Sequence, residues 1–435
     1  MWNRKRCAEV KRIFVLLLLC IVVIAVVVAY RNYRGEWGTA PQGTSLEGAA
    51  LITKGRYLAQ AGNCIGCHTA RGGVPFAGGR GIPTPFGTVY SSNLTPDPQT
   101  GIGQWSRDDF WRAMHNGRSK SGRFLYPAFP YTEYTRVTRE DTDALHAFFL
   151  SLAPVPQPNR AHDLRAPYNS QLVLAGWRAL FFNAGVYEAD EKRSEQWNRG
   201  AYLVTGLGHC SACHAGRNVF GASEDSLELS GGLIPMQGWY APSLASPSEA
   251  GVQDWPMQEI VALLKNGVSE HASALGPMAE VVYRSTQHID GADLQAMAVY
   301  LQTLPKRETD RMDEEDIPTV DPSIFAVGRK IYADRCADCH GAQGEGVAGM
   351  YPALAGNRAL TMEIASNSVL SVLNGGFAPA TAGNPRPFGM PPYAVSLKDE
   401  EIAAVLSYIR NAWGNKAPPV NIWDVRNAAR GASTH

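Results

Sequence analysis

The chain has no cysteine to spare for a structural disulfide. Of its eight cysteines, six lie in three Cys-x-x-Cys-His strings, and the other two, Cys7 and Cys20, fall before and inside an apolar N-terminal run. It has no net charge either, because 40 acidic residues offset 40 basic ones. A neutral chain gives no bulk electrostatic reason to bind nucleic acid. Charged residues are sparse at 18%, against 45% hydrophobic residues, which excludes a disordered chain. A dinucleotide-binding fingerprint, a phosphate-binding loop and a hydrolytic triad are all missing. Substrate chemistry is therefore expected in a partner, and this chain is not expected to be a catalyst itself. At 435 residues the chain is long enough for two to four domains. Its 43 glycines and 28 prolines suit small helices joined by shaped loops rather than one large sheet.

The N-terminus reads as a membrane segment. Arg4, Lys5, Arg6, Lys11 and Arg12 precede an uncharged apolar stretch over 13–29, with Tyr30 at its end. As a helix this stretch spans about 26 Å, enough for a bilayer with snorkelling flanks. Positive charge before the span keeps that side cytoplasmic, so 1–30 is expected to anchor the chain in the inner membrane with the rest on the periplasmic side. A cleaved signal peptide ending at Val27-Val28-Ala29 is the competing expectation. Leu19 is too large to precede an acylated Cys20, which argues against a lipoprotein. Residues 31–47 read as a polar linker.

The rest of the chain repeats itself. Each copy opens on a helical segment carrying a glycine and a tyrosine: Gly55 and Tyr57, Gly200 and Tyr202, Gly328 and Tyr332. A Cys-x-x-Cys-His string follows, then a long Gly/Pro-rich loop. Each copy closes on an amphipathic helix with a capping signature: Thr138 with Asp141, Asp290 with Asp293, and Ser396 with Asp399. This predicts an all-α fold of three tandem cytochrome c-like domains over 48–155, 190–306 and 320–415. In each, the glycine would let the last helix cross the first closely and an aromatic ring would fill the crossing. Residues 156–189 form a connector whose Leu174, Trp177, Leu180, Phe181 and Phe182 make a greasy stripe. That stripe is expected to dock on a neighbouring domain, with a partner subunit or the membrane surface as alternatives. Residues 416–435 form a tail, and the acidic run at 313–316 is expected to be solvated.

Two thiols three positions apart can each add to a vinyl group on one porphyrin edge, and the histidine that follows reaches the iron from the same side. Zinc and thioredoxin-like sites share Cys-x-x-Cys. A zinc reading needs further paired Cys or His ligands, which the chain lacks. Three covalently bound haems are therefore expected, on Cys64, Cys67 and His68; on Cys210, Cys213 and His214; and on Cys336, Cys339 and His340. The sixth ligands should come from the loop before each last helix, and a thioether there raises the potential. Met390, between Gly389 and Pro391, is the expectation for the third haem. Met278, after Gly276-Pro277, is the expectation for the second, ahead of Met257 and Met236. In the first domain Phe129 stands where a ligand is expected and cannot bind iron. Met114 is the only methionine there, and is the expected ligand. His115 beside it, or an open iron, are the competing expectations.

The chain resembles the three-haem cytochrome c subunits of membrane-bound periplasmic dehydrogenases, over nearly all of 48–415. The resemblance lies in Thr84-Pro85-Phe86-Gly87-Thr88, Asn93-Leu94-Thr95-Pro96-Asp97, Gly101-Ile102-Gly103-Gln104-Trp105, Leu125-Tyr126-Pro127, Gly276-Pro277-Met278-Ala279-Glu280-Val281-Val282, Tyr351-Pro352-Ala353-Leu354-Ala355-Gly356-Asn357 and Met390-Pro391-Pro392. It implies electron transfer from a catalytic subunit to membrane ubiquinone, with Met278 and Met390 on the family's ligand positions. Alcohol dehydrogenase cytochromes of this type usually carry Met where Phe129 stands. Phe129 with Ala113-Met114 looks more like the cytochromes that serve molybdenum hydroxylases such as aldehyde or isoquinoline oxidoreductases. That implies a molybdopterin subunit with a small iron–sulfur subunit as partner. A quinoprotein alcohol dehydrogenase or a flavoprotein gluconate or sugar dehydrogenase is the alternative. A multihaem peroxidase, a cytochrome oxidase subunit and a haem sensor are the remaining competitors, the last without a visible output domain.

Overall fold

Three glycines set the closest backbone approaches in the helical framework. The computed structural model describes residues 2–36, 43, 45–224, 228–270, 272–307 and 312–432, with side chains from residue 8. Residues 37–42 and 44 of the expected linker lie outside this description. The chain is about 46% helical. It opens on α1 (Trp2–Tyr33), which runs past residue 29 through the start of the expected linker into a short 3-10 turn, Arg34–Glu36. The helices that frame the first string are α2 (Gly48–Ala61), α3 (Arg107–Asn116) and α4 (Arg139–Leu150). The connector forms α5 (Gln171–Phe181). Around the second string come α6 (Glu195–Tyr202), α7 (Met257–Asn266), α8 (Gly276–Arg284) and α9 (Gly291–Gln302). Around the third come α10 (Pro322–Arg335), α11 (Ser366–Asn374), α12 (Asp399–Ile409) and α13 (Ile422–Ala432).

Three helix pairs cross in the same way. A Cβ on Gly55 would lie 1.9 Å from the Ala144 carbonyl oxygen, one on Gly200 1.9 Å from that of Ala296, and one on Gly328 2.1 Å from that of Ala404. Only hydrogen fits there, so α2 and α4, α6 and α9, and α10 and α12 touch backbone to backbone. The last helices start where their caps dictate. Thr138 Oγ1 accepts from the Asp141 N–H at 3.2 Å, and Asp290 Oδ1 accepts from the Asp293 N–H at 2.8 Å. The third cap differs from expectation. Here α12 begins at Asp399, and the Glu401 carboxylate reaches back to the Lys398 N–H at 2.8 Å, while Ser396 bonds the Tyr393 carbonyl instead.

The fold also departs from all-α in carrying seven short strands among the described residues. β1 (Gly81–Thr84) and β2 (Gly87–Tyr90) form a hairpin, and β3 (Asp163–Leu164) of the connector adds to its free edge. Gly87 permits this junction, with φ +125° and the Asp163 carbonyl where a Cβ would stand. The other strands are two-residue pairs: β4 (Gly232–Leu233) with β5 (Tyr240–Ala241), and β6 (Gly376–Phe377) with β7 (Gly389–Met390). They are too short to build a sheet core.

One apolar core serves the first two helix pairs together, joining Leu58 and Leu145 to Leu203 and Leu294. The third pair has separate clusters. One contains Tyr332 and Tyr408; the other joins α11, α12 and α13 through Leu370, Leu406 and Val425. The expected tail is thus largely a packed helix. The third pair meets the second through reciprocal bonds: the Tyr240 N–H donates to Asn367 Oδ1 at 2.8 Å, and Asn367 Nδ2 donates to the Tyr240 carbonyl at 2.7 Å.

Candidate functional site

Each Cys-x-x-Cys-His string curls into a single helical turn, over Cys64–Cys67, Ser211–His214 and Ala337–His340. Cysteines three apart on such a turn fall on one face. Their thiols are free, and none is in a disulfide. Burial pushes the Cys64 and Cys210 thiols up to about 12 and the Cys336 thiol up to about 11. Among the described residues no group of three or more His, Cys, Asp or Glu gathers to hold a metal ion.

The three histidines share one geometry. Nδ1 of His68 donates to the Ser92 carbonyl at 2.7 Å, that of His214 to the Pro242 carbonyl at 2.7 Å, and that of His340 to the Pro352 carbonyl at 3.0 Å. Burial holds all three below the ordinary imidazole value. A neutral ring that donates through Nδ1 presents its lone pair at Nε2, which is the arrangement of an imidazole ligand oriented by a backbone acceptor. Paired free thiols with an oriented imidazole fit a covalently held haem at all three positions.

The first and second strings lie together. The Cys213 and Cys67 thiols are close enough for ionisation of either to disfavour that of the other. Ser211 Oγ, inside the second string, donates to the buried Glu133 at 3.1 Å. His209 Nε2 donates to the Gly62 carbonyl at 3.3 Å, and its ring meets Tyr134 edge-on at 5.4 Å. Tyr134 Oη also reaches the Gly62 carbonyl, at 3.2 Å. Arg80 donates to the Gly66 carbonyl within the first string and pairs with Glu280 at 2.9 Å, two residues beyond Met278. The third string stands apart, flanked by Tyr332, Tyr351 and Tyr393 of its own segment.

The methionines expected at the sixth positions occupy three settings. Met114 is buried on α3 in the apolar cluster that also meets Cys64 and Phe129. The Ser106–Asp109 capping box starts that helix. Its neighbour His115 donates through Nδ1 to the Thr135 carbonyl at 2.8 Å and stacks on Trp111 at 4.4 Å, which leaves its lone pair at Nε2. Met278 is half-buried in the first turn of α8, not in a loop, because Pro277 starts a helix there. Met390 is half-buried in β7, and Gly375 leaves room for its carbonyl. Met257 packs on the core at the start of α7.

Sequence reasoning missed the contacts between the strings. Arg80 and Glu280 are 200 residues apart, and no local pattern marks them. It also missed Arg178 of α5, which is buried over the rings of Phe124, Phe182 and Tyr131 at 4.6, 4.7 and 5.0 Å and donates to the Asn116 carbonyl at 2.7 Å. Tyr57 and Tyr202 bond the opposite pair, Tyr57 Oη reaching Asp293 and Tyr202 Oη reaching Asp141, while the aromatics at the three crossings are Phe148, Tyr300 and Tyr408 of the last helices.

Residues 325–413 match the cytochrome c family. The chain is 38% identical over 382 residues to the cytochrome c subunit of the quinone alcohol dehydrogenase of Gluconobacter oxydans (strain 621H), covering 85% of this chain and 80% of that one. It is 37% identical over 382 residues to the gluconate 2-dehydrogenase cytochrome c subunit of Pantoea cypripedii, covering 85% and 87%. It is also 40% identical over 383 residues to one of the subunits of the nicotinate dehydrogenase of Pseudomonas putida, covering 87% of this chain but only 32% of that longer protein.

Proposed function

Because this chain belongs to the family of cytochrome c subunits of dehydrogenase complexes, which transfer electrons and are not the catalytic subunits, we propose that it relays electrons on three covalent haems from a partner dehydrogenase to membrane ubiquinone. The carrying observation is the threefold recurrence of one donor geometry at His68, His214 and His340. Each helix pair with its string is one haem domain, over 48–155, 190–306 and 320–415. Bound haem supplies a one-electron change at iron. The chain's own residues fix each imidazole, bury each attachment edge and hold the first two sites side by side. Met114, Met278 and Met390 complete the coordination. Helix α1 holds the assembly on the periplasmic face of the inner membrane.

Two partner classes have support. Phe129 with a buried Met114 favours a molybdopterin subunit with a small iron–sulfur subunit. The alcohol and gluconate dehydrogenase relatives favour a quinoprotein or flavoprotein equally. Molybdenum, quinone-cofactor and flavin analysis of the co-purifying subunit separates them.

The full-length chain should exceed its polypeptide mass by three haems, with three per chain in a pyridine haemochrome assay. Two or fewer sinks the architecture. The haem-loaded subunit alone should not oxidise alcohols or aldehydes, but should be reduced by its co-purifying dehydrogenase and reoxidised by a quinone analogue. Substrate oxidation by the isolated subunit would overturn the assignment.

A further inference from the structure

The connector helix α5 has two unlike faces. Its inner face, with Leu174, Arg178 and Ala179, is buried. The last turn of α1 is bonded to it: Asn32 Nδ2 donates to the Ala175 carbonyl at 2.9 Å, Arg178 Nε donates to Asn32 Oδ1 at 2.9 Å, and Arg31 Nε donates to the Ala179 carbonyl at 3.1 Å. Its outer face carries Leu172, 85% exposed, and Leu180, 72% exposed, with Val173 and Gly176 between them. Positions 172, 176 and 180 repeat every fourth residue and form one stripe. No acidic residue lies on this helix, and its one cation, Arg178, points inward.

A turn beside the second string extends the stripe. Val219 is 87% exposed and Phe220 is 59% exposed. Trp177 Nε1 donates to the Phe220 carbonyl at 2.9 Å, and the Phe181 and Phe220 rings lie 5.8 Å apart. The apolar patch thus runs unbroken from the connector onto the second helix pair. An uncharged patch of large apolar side chains is costly to leave in water.

What covers the patch follows from its neighbour. The segment Ala8–Glu36 is long and apolar enough to cross a membrane, and the rest of the protein packs against none of its most apolar stretch. Its C-terminal turn, the part bonded to α5, is where the span leaves the hydrocarbon, and Tyr30 and Tyr33 there are exposed, as interfacial aromatics are. We infer that α5 and the 219–220 turn form a second membrane contact, in which Leu172, Leu180, Val219 and Phe220 insert into the acyl boundary beside the anchor. This rests on the reading of α1 as a retained anchor. A helix polar on one side and apolar on the other, lying in the interface plane next to a span, is a recognised mode of membrane attachment. Two contacts fix the tilt of the domains on the bilayer, where one helix would leave them free to pivot.

The test places a photoreactive benzoylphenylalanine at Leu172, Leu180 or Phe220 of the full-length haem-loaded protein in vesicles of phosphatidylethanolamine and phosphatidylglycerol. Val22 in α1 and Val395, exposed near α12, serve as controls. The expected result is a mass increase of one phospholipid at Leu172, Leu180, Phe220 and Val22 after irradiation, and none at Val395. Lipid adducts at Val22 alone would leave the anchor standing and overturn the second contact. Adducts to a co-purifying subunit at the three test positions would overturn it in favour of a protein interface. Absence of adducts at Val22 as well would remove the anchor and the inference together.

Discussion

Tyr57 Oη donates to Asp293 at 2.6 Å, and Tyr202 Oη returns the same contact to Asp141 at 2.6 Å. Each tyrosine comes from the first helix of one pair, and each carboxylate from the first turn of the last helix of the other. Each hydroxyl also accepts from the backbone at that helix start, Tyr57 from the Asp290 N–H at 3.4 Å and Tyr202 from the Thr138 N–H at 3.3 Å. The second partners match in kind, with Arg199 on Asp293 at 2.6 Å and Lys54 on Asp141 at 2.8 Å. The first two pairs are related by an approximate twofold exchange and share one core. This accounts for the closeness of the first two strings.

Tyr57→Phe and Tyr202→Phe should each destabilise this joint body by about 1.5 kcal/mol, the low end for a bond to a charged acceptor, because Arg199 or Lys54 still satisfies the carboxylate. Urea unfolding followed at the haem absorbance should show both variants lowering the midpoint of one transition shared by the first two pairs. Tyr332→Phe removes a bond to the Gly341 carbonyl inside the third segment and should move a different transition. If Tyr57→Phe shifts a transition that Tyr202→Phe leaves alone, the joint body is wrong.

The same contact should make the interface sensitive to acid. Burial pushes the Asp293 carboxyl up, but bonds from Arg199 and Tyr57 outweigh it and hold the group below its ordinary value. A carboxyl depressed in the folded state stabilises fully above its unfolded value of about 3.9, and that stability is lost as pH falls through the folded value. Stability measured from neutral pH downward should therefore drop below about pH 4, and Asp293→Asn should flatten part of that drop. An unchanged acid limb in Asp293→Asn would show that the carboxylate contributes nothing there.

Gly200→Ala tests the helix crossing. The new methyl would meet the Ala296 carbonyl oxygen at 1.9 Å, and backbone cannot rotate away as a side chain can. The expected cost is about 3 kcal/mol or more, with lower haem occupancy at Cys210 and Cys213. Gly291→Ala is the control, because nothing lies within 4 Å of a Cβ there. Equal haem content in both variants would contradict the crossing geometry.

The strings, the crossing glycines and two of the three helix caps are legible in the sequence because each depends on spacing within a few residues. Ser396 misleads because Lys398, just before α12, uses Glu401 in place of a side-chain cap on its own residue. The placement of Met278 on a helix is legible in hindsight from Pro277, a common first-turn residue. The pairing of Arg80 with Glu280, the burial of Arg178 and the exchange of tyrosines are not legible. They depend on how separate helix pairs pack, which period and propensity within each pair do not encode. The strands are missed for a related reason, since two-residue pairs such as β6 with β7 leave no alternation to read.

The last expectation concerns the first haem. Met114 is proposed as its sixth ligand, in place of the residue at 129. Phe129 has no lone pair, and its ring packs on Tyr134 at 5.3 Å. The capping box at Ser106 and Asp109 starts α3 so that Phe110 and Met114, one turn apart, both enter the core. His115 is the rival: its Nδ1 donates to the Thr135 carbonyl, as the three string histidines do to theirs, and its ring stacks on Trp111. The informative variant is Met114→Leu, which keeps the volume and should cost under about 1.5 kcal/mol, so the domain stays folded. In the full chain the near-infrared thioether band of the oxidised protein should fall by about one third, one haem's share, with one haem turning high-spin. His115→Ala should leave the band intact and reduce stability through the unpaired Thr135 carbonyl. If Met114→Leu leaves the band whole while His115→Ala changes the spectrum, histidine is the ligand, and the first haem's potential should be correspondingly low. If neither variant alters the first haem, its iron is open, and peroxide turnover by the wild-type chain becomes the measurement to make.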